Sequence, residues 1–171
     1  MQIESNQLEK LSKIEIFSDL NPSNSEDRLI LEKMAELLSV KMFKKGETII
    51  REGDMGDTLY ILASGAVQVL RNTLGDEKYA VVNLSAAQNV FFGEVALIDS
   101  DKRSASVVAL EDCKTWVLTG NNYEKICENE PRFGYLVTLR IARRIAATLR
   151  KTNNDIITLY EALLDEVEGK K

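Results

Sequence analysis

Residues 44–69, KKGETIIREGDMGDTLYILASGAVQV, decide the fold, because their apolar runs are too short and too often interrupted for a helix. Stretches rich in Thr, Ile, Leu, Tyr and Val are closed by turns at Gly46, Gly53, Gly56 and Gly65. Gly and Asp in such turns supply the tight or positive-φ conformations that hairpins need. The same rhythm runs from Val40 to Leu118, with LGDE at 74–77 as a further turn. Strands of four to eight residues separated in this way predict an antiparallel β-sandwich or jelly roll.

Helical periodicity flanks this region. Residues 26–39, EDRLILEKMAELLS, place Leu29, Met34, Leu37 and Leu38 near one side of a helix. After Leu118, the segment NNYEKICENE offers Asn121 as an N-cap with Glu124 as its reciprocal partner, and a second helix is expected to begin near Pro131. From 135 to 167 there is no proline or glycine, and the residues fall into heptads. Leu139, Ala146, Asn153, Tyr160 and Val167 occupy one core position, and Tyr135, Ala142, Leu149, Ile156 and Leu163 the other. A continuous helix of that size is roughly 50 Å long, too long to pack wholly on one small barrel. The spacing therefore predicts a homodimer through this helix, with Asn153 fixing register and favouring a parallel, two-stranded arrangement.

The expected fold class is thus α+β, mainly β: a double-stranded β-helix flanked by an N-terminal helix and C-terminal helices, the last one long. Residues 1–130 form the jelly-roll unit with its N-terminal helical segment, and 131–171 the capping and dimerisation helix. No internal repeat or linker divides the chain.

Composition narrows the function. The 171 residues are 44% hydrophobic, enough for one packed domain with an appendage. A formal net charge of -5 and a pI near 5.0 argue against gripping a phosphate backbone, so direct DNA binding is not expected. Histidine is absent, which speaks against zinc hydrolases, Ser-His-Asp catalysis and histidine-built metal sites of the cupin type. Neither a metal nor a cofactor is expected, and the chain does not read as an enzyme. Cys113 and Cys127 form no CxxC pair, no secretory leader is evident and no apolar run approaches the roughly 20 residues that span a bilayer, so a cytoplasmic protein away from membranes is expected.

Chemistry concentrates in residues 91–110, FFGEVALIDSDKRSASVVAL. Gly93 ends a strand and EVALI makes one helical turn, so the first amides of that turn point outward, ready for an anion. Arg103, nine residues after Glu94, returns beside the turn if IDSDK folds back, and a guanidinium beside free amides suits a phosphate. Ser104 adds a hydroxyl, and Ala105 lets the backbone approach. Glu94 would repel phosphate unless it faces a donor on the same ligand, such as a sugar hydroxyl; it could also hold Arg103. One ligand with both an anion and a nearby ribose hydroxyl, compact enough for so short a loop, is a cyclic nucleotide.

With Phe92, Gly93, Glu94, Ala96 and Leu97 followed by Arg103 and Ala105, the stretch resembles the phosphate-binding cassette of cyclic nucleotide-binding domains. The Glu-to-Arg spacing is similar to that of cyclic AMP-dependent kinase regulatory subunits, and the turns at Gly46, Gly53, Gly56 and Gly65 are similar to the family's glycine pattern. The resemblance implies that Glu94 takes the ribose hydroxyl, that Arg103 pairs with the cyclic phosphate, and that Gly93, Ser104 and Ala105 line it. ARRIAAT at 142–148 resembles the dimerisation helix of the catabolite activator family, which implies base contacts at Thr148 and Leu149. Two departures stand out: Lys102 replaces a frequent proline, and SAAQN replaces a glycine turn, with Asn89 available to make it. Arg143 and Arg144 read as a solvated helix face.

The resulting expectation is a sensor of cAMP or cGMP that signals by moving its C-terminal helix against a separate protein effector. The chain's end soon after Val167 leaves no room for a helix-turn-helix. The alternative is a structural or partner-docking domain that keeps the fold and binds no ligand.

Overall fold

The computed structural model describes residues 5–73, 75 and 77–169. Helices α1 (Ser5–Ser12) and α2 (Ser25–Glu36) open the chain, joined by a 3-10 turn at Glu15–Phe17. Eight strands follow: β1 (Ser39–Phe43), β2 (Thr48–Ile50), β3 (Thr58–Ser64), β4 (Ala66–Asn72), β5 (Lys78–Ser85), β6 (Phe91–Phe92), β7 (Ser106–Ala109) and β8 (Cys113–Thr119). The short helix α3 (Val95–Asp99) interrupts β6 and β7, and α4 (Gly120–Asn129) and α5 (Pro131–Val167) complete the chain. Of the expected LGDE turn, Leu74 and Asp76 lie outside the described residues, as do residues 1–4 and 170–171 of the expected two-part division.

The strands form two four-stranded sheets, ordered β1-β8-β3-β6 and β2-β7-β4-β5, with every pairing antiparallel. The sheets differ in what covers them, and the sequence reflects it. Strand β3 is buried on both faces: Leu59 and Ile61 meet the helices, while Tyr60 and Leu62 meet the other sheet. Its residues therefore read TLYIL without polar alternation, as a doubly covered strand requires. Strand β5 is exposed over most of its length. Turns at Gly46, Gly53 and Gly65 have positive φ, and at Gly65 an added Cβ would lie 2.6 Å from Cys113 Sγ.

The helices pack on the outer face of the first sheet through Leu11, Phe17, Leu31, Met34, Trp116 and Phe133. Helix α2 starts two residues after Ser23 because the Asn24 side chain accepts from the amides of Glu26 and Asp27. Its buried face consists of Ile30, Leu31, Met34 and Ala35, not Leu29, which points to solvent, and Ser39 belongs to β1. The N-cap of α4 is Thr119 rather than the expected Asn121: its side chain accepts from the Asn122 amide. Asn121 lies inside the helix because β8 runs directly into it. Helix α5 does begin at Pro131, whose missing amide costs nothing at a first helical turn.

Helix α5 is 37 residues long, roughly 55 Å. Phe133, Val137 and Ile141 bury one stripe of its first half in the core, each worth about 1.5–3 kcal/mol. Arg132 and Arg140 tie the same half to Asp27 and Asp19. From residue 147 onward every described residue is exposed. No helix among the described residues is long and apolar enough to cross a membrane.

Candidate functional site

Between the second sheet, helix α3 and the middle of α5 lies a cavity of about 340 Å³. Its apolar floor comes from both sheets, with Ile50, Val69, Leu84, Phe92 and Val107. Residues 93–96 form one wall and 102–105 another, and Arg144 and Thr148 of α5 overhang the opening. One space thus brings together Gly93, Glu94, Arg103, Ser104, Ala105 and Thr148. Leu149 is not in the wall: it is 59% exposed on another face of α5, because one residue along a helix turns the side chain by about 100°.

The local backbone explains how the two charged ends converge. Asn89, at φ 52° and ψ 46°, ends the 3-10 turn Ala86–Gln88 that Ser85 and Gln88 cap reciprocally, and it feeds the chain into β6. Gly93, at φ 80°, redirects it into α3; a Cβ there would meet Thr58 O at 2.8 Å and Arg103 Nη1 at 2.9 Å. Lys102 replaces proline without leaving the loop unpinned. It forms a bridge with Met55, and the Arg103 amide and carbonyl bond to Asp54 O (2.8 Å) and the Gly53 amide (2.9 Å).

Arg103 is 8% exposed and is the buried one of the four cations that line the cavity. Its Nη1 donates to the carbonyls of Thr58 (2.9 Å) and Gly93 (3.1 Å), and its Nη2 to Thr58 Oγ1 (2.6 Å). Burial lowers its pKa from the ordinary arginine value, opposed by Tyr60, Asp57 and Asp99. The guanidinium still stays charged. It lies directly over Gly56, where any Cβ would be within 3 Å of Cζ and Nη2. Neither Thr58 nor Gly56 carries a sequence signal for this contact, since both lie outside residues 91–110 and Gly56 reads only as a turn.

Glu94 is not bound to Arg103. Its Oε1 faces Arg144 Nε at 3.3 Å. Arg144 also approaches Glu15 Oε2 at 3.6 Å, and its Cζ sits 4.2 Å from the centroid of the Phe91 ring. The expectation of a solvated Arg144 is therefore corrected: α5 turns it inward over Phe91, three residues after the buried Ile141. That spacing, at the border of the buried stripe, is the signal that could have revealed it. Arg71 of β4 is a second wall residue that sequence reasoning missed, 4.0 Å from Glu52. Nothing in its strand context marks it.

Chemically, the cavity offers an apolar floor, a buried cation, a carboxylate in the same wall segment as Gly93, and a helix over the top. These features accept a compact ligand that has an anion, a hydroxyl and a flat apolar part.

The family described as "Cyclic nucleotide-binding domain" matches residues 40–130. The Cyclic AMP receptor protein of Thermus thermophilus is 32% identical over 105 residues, covering 61% of this chain and 48% of that protein. The cGMP-dependent protein kinase 2 of Homo sapiens is 40% identical over 87 residues, 51% of this chain and 11% of that protein. The chain thus spans less than half the length of either. The crystal structure of the Thermus thermophilus catabolite activator protein superposes with a TM-score of 0.72 at 28% identity, covering 85% of this chain and 62% of that one.

Proposed function

We propose that this chain, which belongs to the cyclic nucleotide-binding domain family, holds a cyclic nucleoside monophosphate under α5 and passes the binding signal through that helix to a separate protein effector. The observation that carries this reading is the convergence of Arg103, Gly93, Glu94 and Thr148 on one cavity. Its volume of about 340 Å³ lies within the range of about 300–1,000 Å³ common for small-molecule sites. The relatives named above bear the names of cyclic AMP and cyclic GMP, so both nucleotides are candidate ligands.

In this reading Arg103 pairs with the cyclic phosphate, using the donors that Thr58 and Gly93 leave unused. Gly93, Ser104 and Ala105 line the same anion with amides and a hydroxyl. Glu94 accepts the ribose hydroxyl. The base lies on the apolar floor and meets Thr148 at its edge; Leu149 drops out of the base site because it faces away.

Arg144 supplies the link to α5. It binds Glu94 from the helix side, so a ribose hydroxyl arriving at Glu94 changes what holds α5 in place. The ligand shifts α5 only to the extent that it binds one helix position more tightly than the other. Half-buried Leu139 and Ala146, together with the exposed Ala142, Leu149, Asn153, Ile156, Tyr160 and Leu163, provide a seam for a second copy, making the sensor a homodimer.

Isothermal titration with cyclic AMP and cyclic GMP tests the reading. Binding of at least one is expected, and Arg103→Ala should weaken it by about two orders of magnitude, the cost of removing one partner of a desolvated charge pair. Absence of heat with either nucleotide at millimolar concentration would leave the structural-domain alternative standing instead.

A further inference from the structure

Arginines of α5 face carboxylates of residues 15–27 in a ladder. Arg132 pairs with Asp27, Arg140 with Asp19 and Arg144 with Glu15, so the helix and the N-terminal segment run past each other in opposite directions. The middle rung is closed: Arg140 Nε and Nη2 donate to the two oxygens of Asp19 at 2.7 and 2.5 Å. The last rung is open, with Arg144 Nη1 3.6 Å from Glu15 Oε2. Arg144 is drawn away from it because its Nε also faces Glu94 Oε1 at 3.3 Å, while its Cζ stays over the Phe91 ring. A closed charge-assisted bond is about 2.7–2.9 Å long, and neither contact reaches that. One guanidinium is thus divided between a carboxylate of the nucleotide cavity and a carboxylate of the N-terminal segment.

We propose that Glu15 is a positioning residue for nucleotide binding: it competes with Glu94 for Arg144, so that a ribose hydroxyl arriving at Glu94 releases Arg144 to Glu15. This rests on the reading that Glu94 accepts from the ribose hydroxyl, and it adds a residue far outside the ligand loop to what sets the affinity.

Burial decides the direction of the exchange. The Glu94 side chain is 14% exposed and that of Glu15 58%. A carboxylate largely withdrawn from water needs a donor, whereas an exposed one is served by solvent. In the free chain the guanidinium therefore leans towards Glu94. Once the ribose hydroxyl donates to Glu94, that need is met inside the cavity, and the guanidinium turns on its seat over Phe91 to close on Glu15. The last rung then matches the others. Without Glu15 the balance shifts the other way: Arg144 rests wholly on Glu94, and the incoming hydroxyl has to displace a stronger pair. The coupling is reciprocal, so nucleotide strengthens the Arg144–Glu15 pair by the same factor by which Glu15 strengthens nucleotide binding.

Calorimetric titration of the full chain with cyclic AMP and cyclic GMP tests this. Glu15→Gln, which keeps the side-chain shape and lies outside the cavity wall, should weaken binding roughly two- to fivefold, the range of an exposed ion pair, and the loss should shrink at high salt. The same substitution in an Arg144→Gln chain should leave affinity where Arg144→Gln put it, because Glu15 acts through that guanidinium. A purely structural Glu15 would instead give the same change in both backgrounds. By reciprocity, Glu15→Gln should lower Tm more in saturating nucleotide than in its absence. Unchanged or tighter binding by Glu15→Gln overturns the proposal, as does an equal loss in the Arg144→Gln chain, and either result leaves nucleotide binding itself standing. Absence of heat with the unmodified chain overturns the reading of the cavity and the role of Glu15 with it.

Discussion

Gly56 leaves no room for a side chain because the Arg103 guanidinium lies across it, yet its backbone is not at positive φ. The constraint is space alone, and the obstacle is the far end of a flexible side chain. Gly56→Ala is therefore expected to fold and to push the guanidinium off its present seat, weakening nucleotide binding by roughly tenfold or more in a calorimetric titration. Thr58 acts on the same group from the other side. Thr58→Val keeps the shape but removes the acceptor 2.6 Å from Nη2, leaving a buried donor without its partner. Affinity should fall about 5- to 30-fold, equivalent to about 1–2 kcal/mol, and Thr58→Ser should recover most of it. Unchanged affinity in both variants would show that Arg103 is held by the two carbonyls alone.

The elements are fastened to one another by a few polar ties across apolar contacts. Asp27 of α2 accepts from the Asn21 amide at 2.9 Å and pairs with Arg132 at the start of α5. Burial acts to raise the Asp27 pKa, but the Asn21 amide and Arg132 together outweigh it and hold it below the usual carboxylate value. A carboxyl depressed in the folded state contributes stability above its unfolded pKa, and that contribution is lost as the pH falls through the folded value. Acid should therefore loosen the seat of α5 on α2 below about pH 4. Asp27→Asn should lower Tm by a few degrees near neutral pH, at about 2–4 °C for each kcal/mol, and the difference from the unmodified chain should shrink in acid. Thermal melts across pH check this. Where a turn demands a left-handed residue the tie is conformational: Asn89→Val should cost about 1–2 kcal/mol, whereas Asn89→Gly should be tolerated.

At the scale of the whole molecule, a ligand that binds the folded chain under α5 stabilises it by mass action. At a concentration about a hundredfold above its dissociation constant, the bound nucleotide should add about 2.7 kcal/mol and raise Tm by roughly 5–10 °C. A melt unmoved by saturating cyclic AMP or cyclic GMP would contradict the sensor reading. Much of this architecture was legible in the chain. Glycine turns separated by short apolar runs specify antiparallel strands wherever they fold, and a proline-free heptad stretch specifies a long helix, because both rest on local backbone conformation and side-chain period. The meeting of Gly93, Glu94, Arg103 and Ser104 in one cavity was legible for the same reason: they lie within one short stretch of chain, and their spacing constrains their approach. Asn121 and Leu29 were misplaced because β8 passes straight into α4 and because packing, not periodicity alone, chose the face of α2. Contacts between distant segments were out of reach. No local pattern links Glu15, Glu94 and Arg144, or sets Gly56 and Thr58 around Arg103, since residues this far apart in sequence meet only when the sheets close and α5 is laid across them. Strands, long helix and the 91–110 loop follow from local spacing and backbone preference; which side chain steadies Arg103 and which ties Glu94 to α5 depends on long-range closure of the fold.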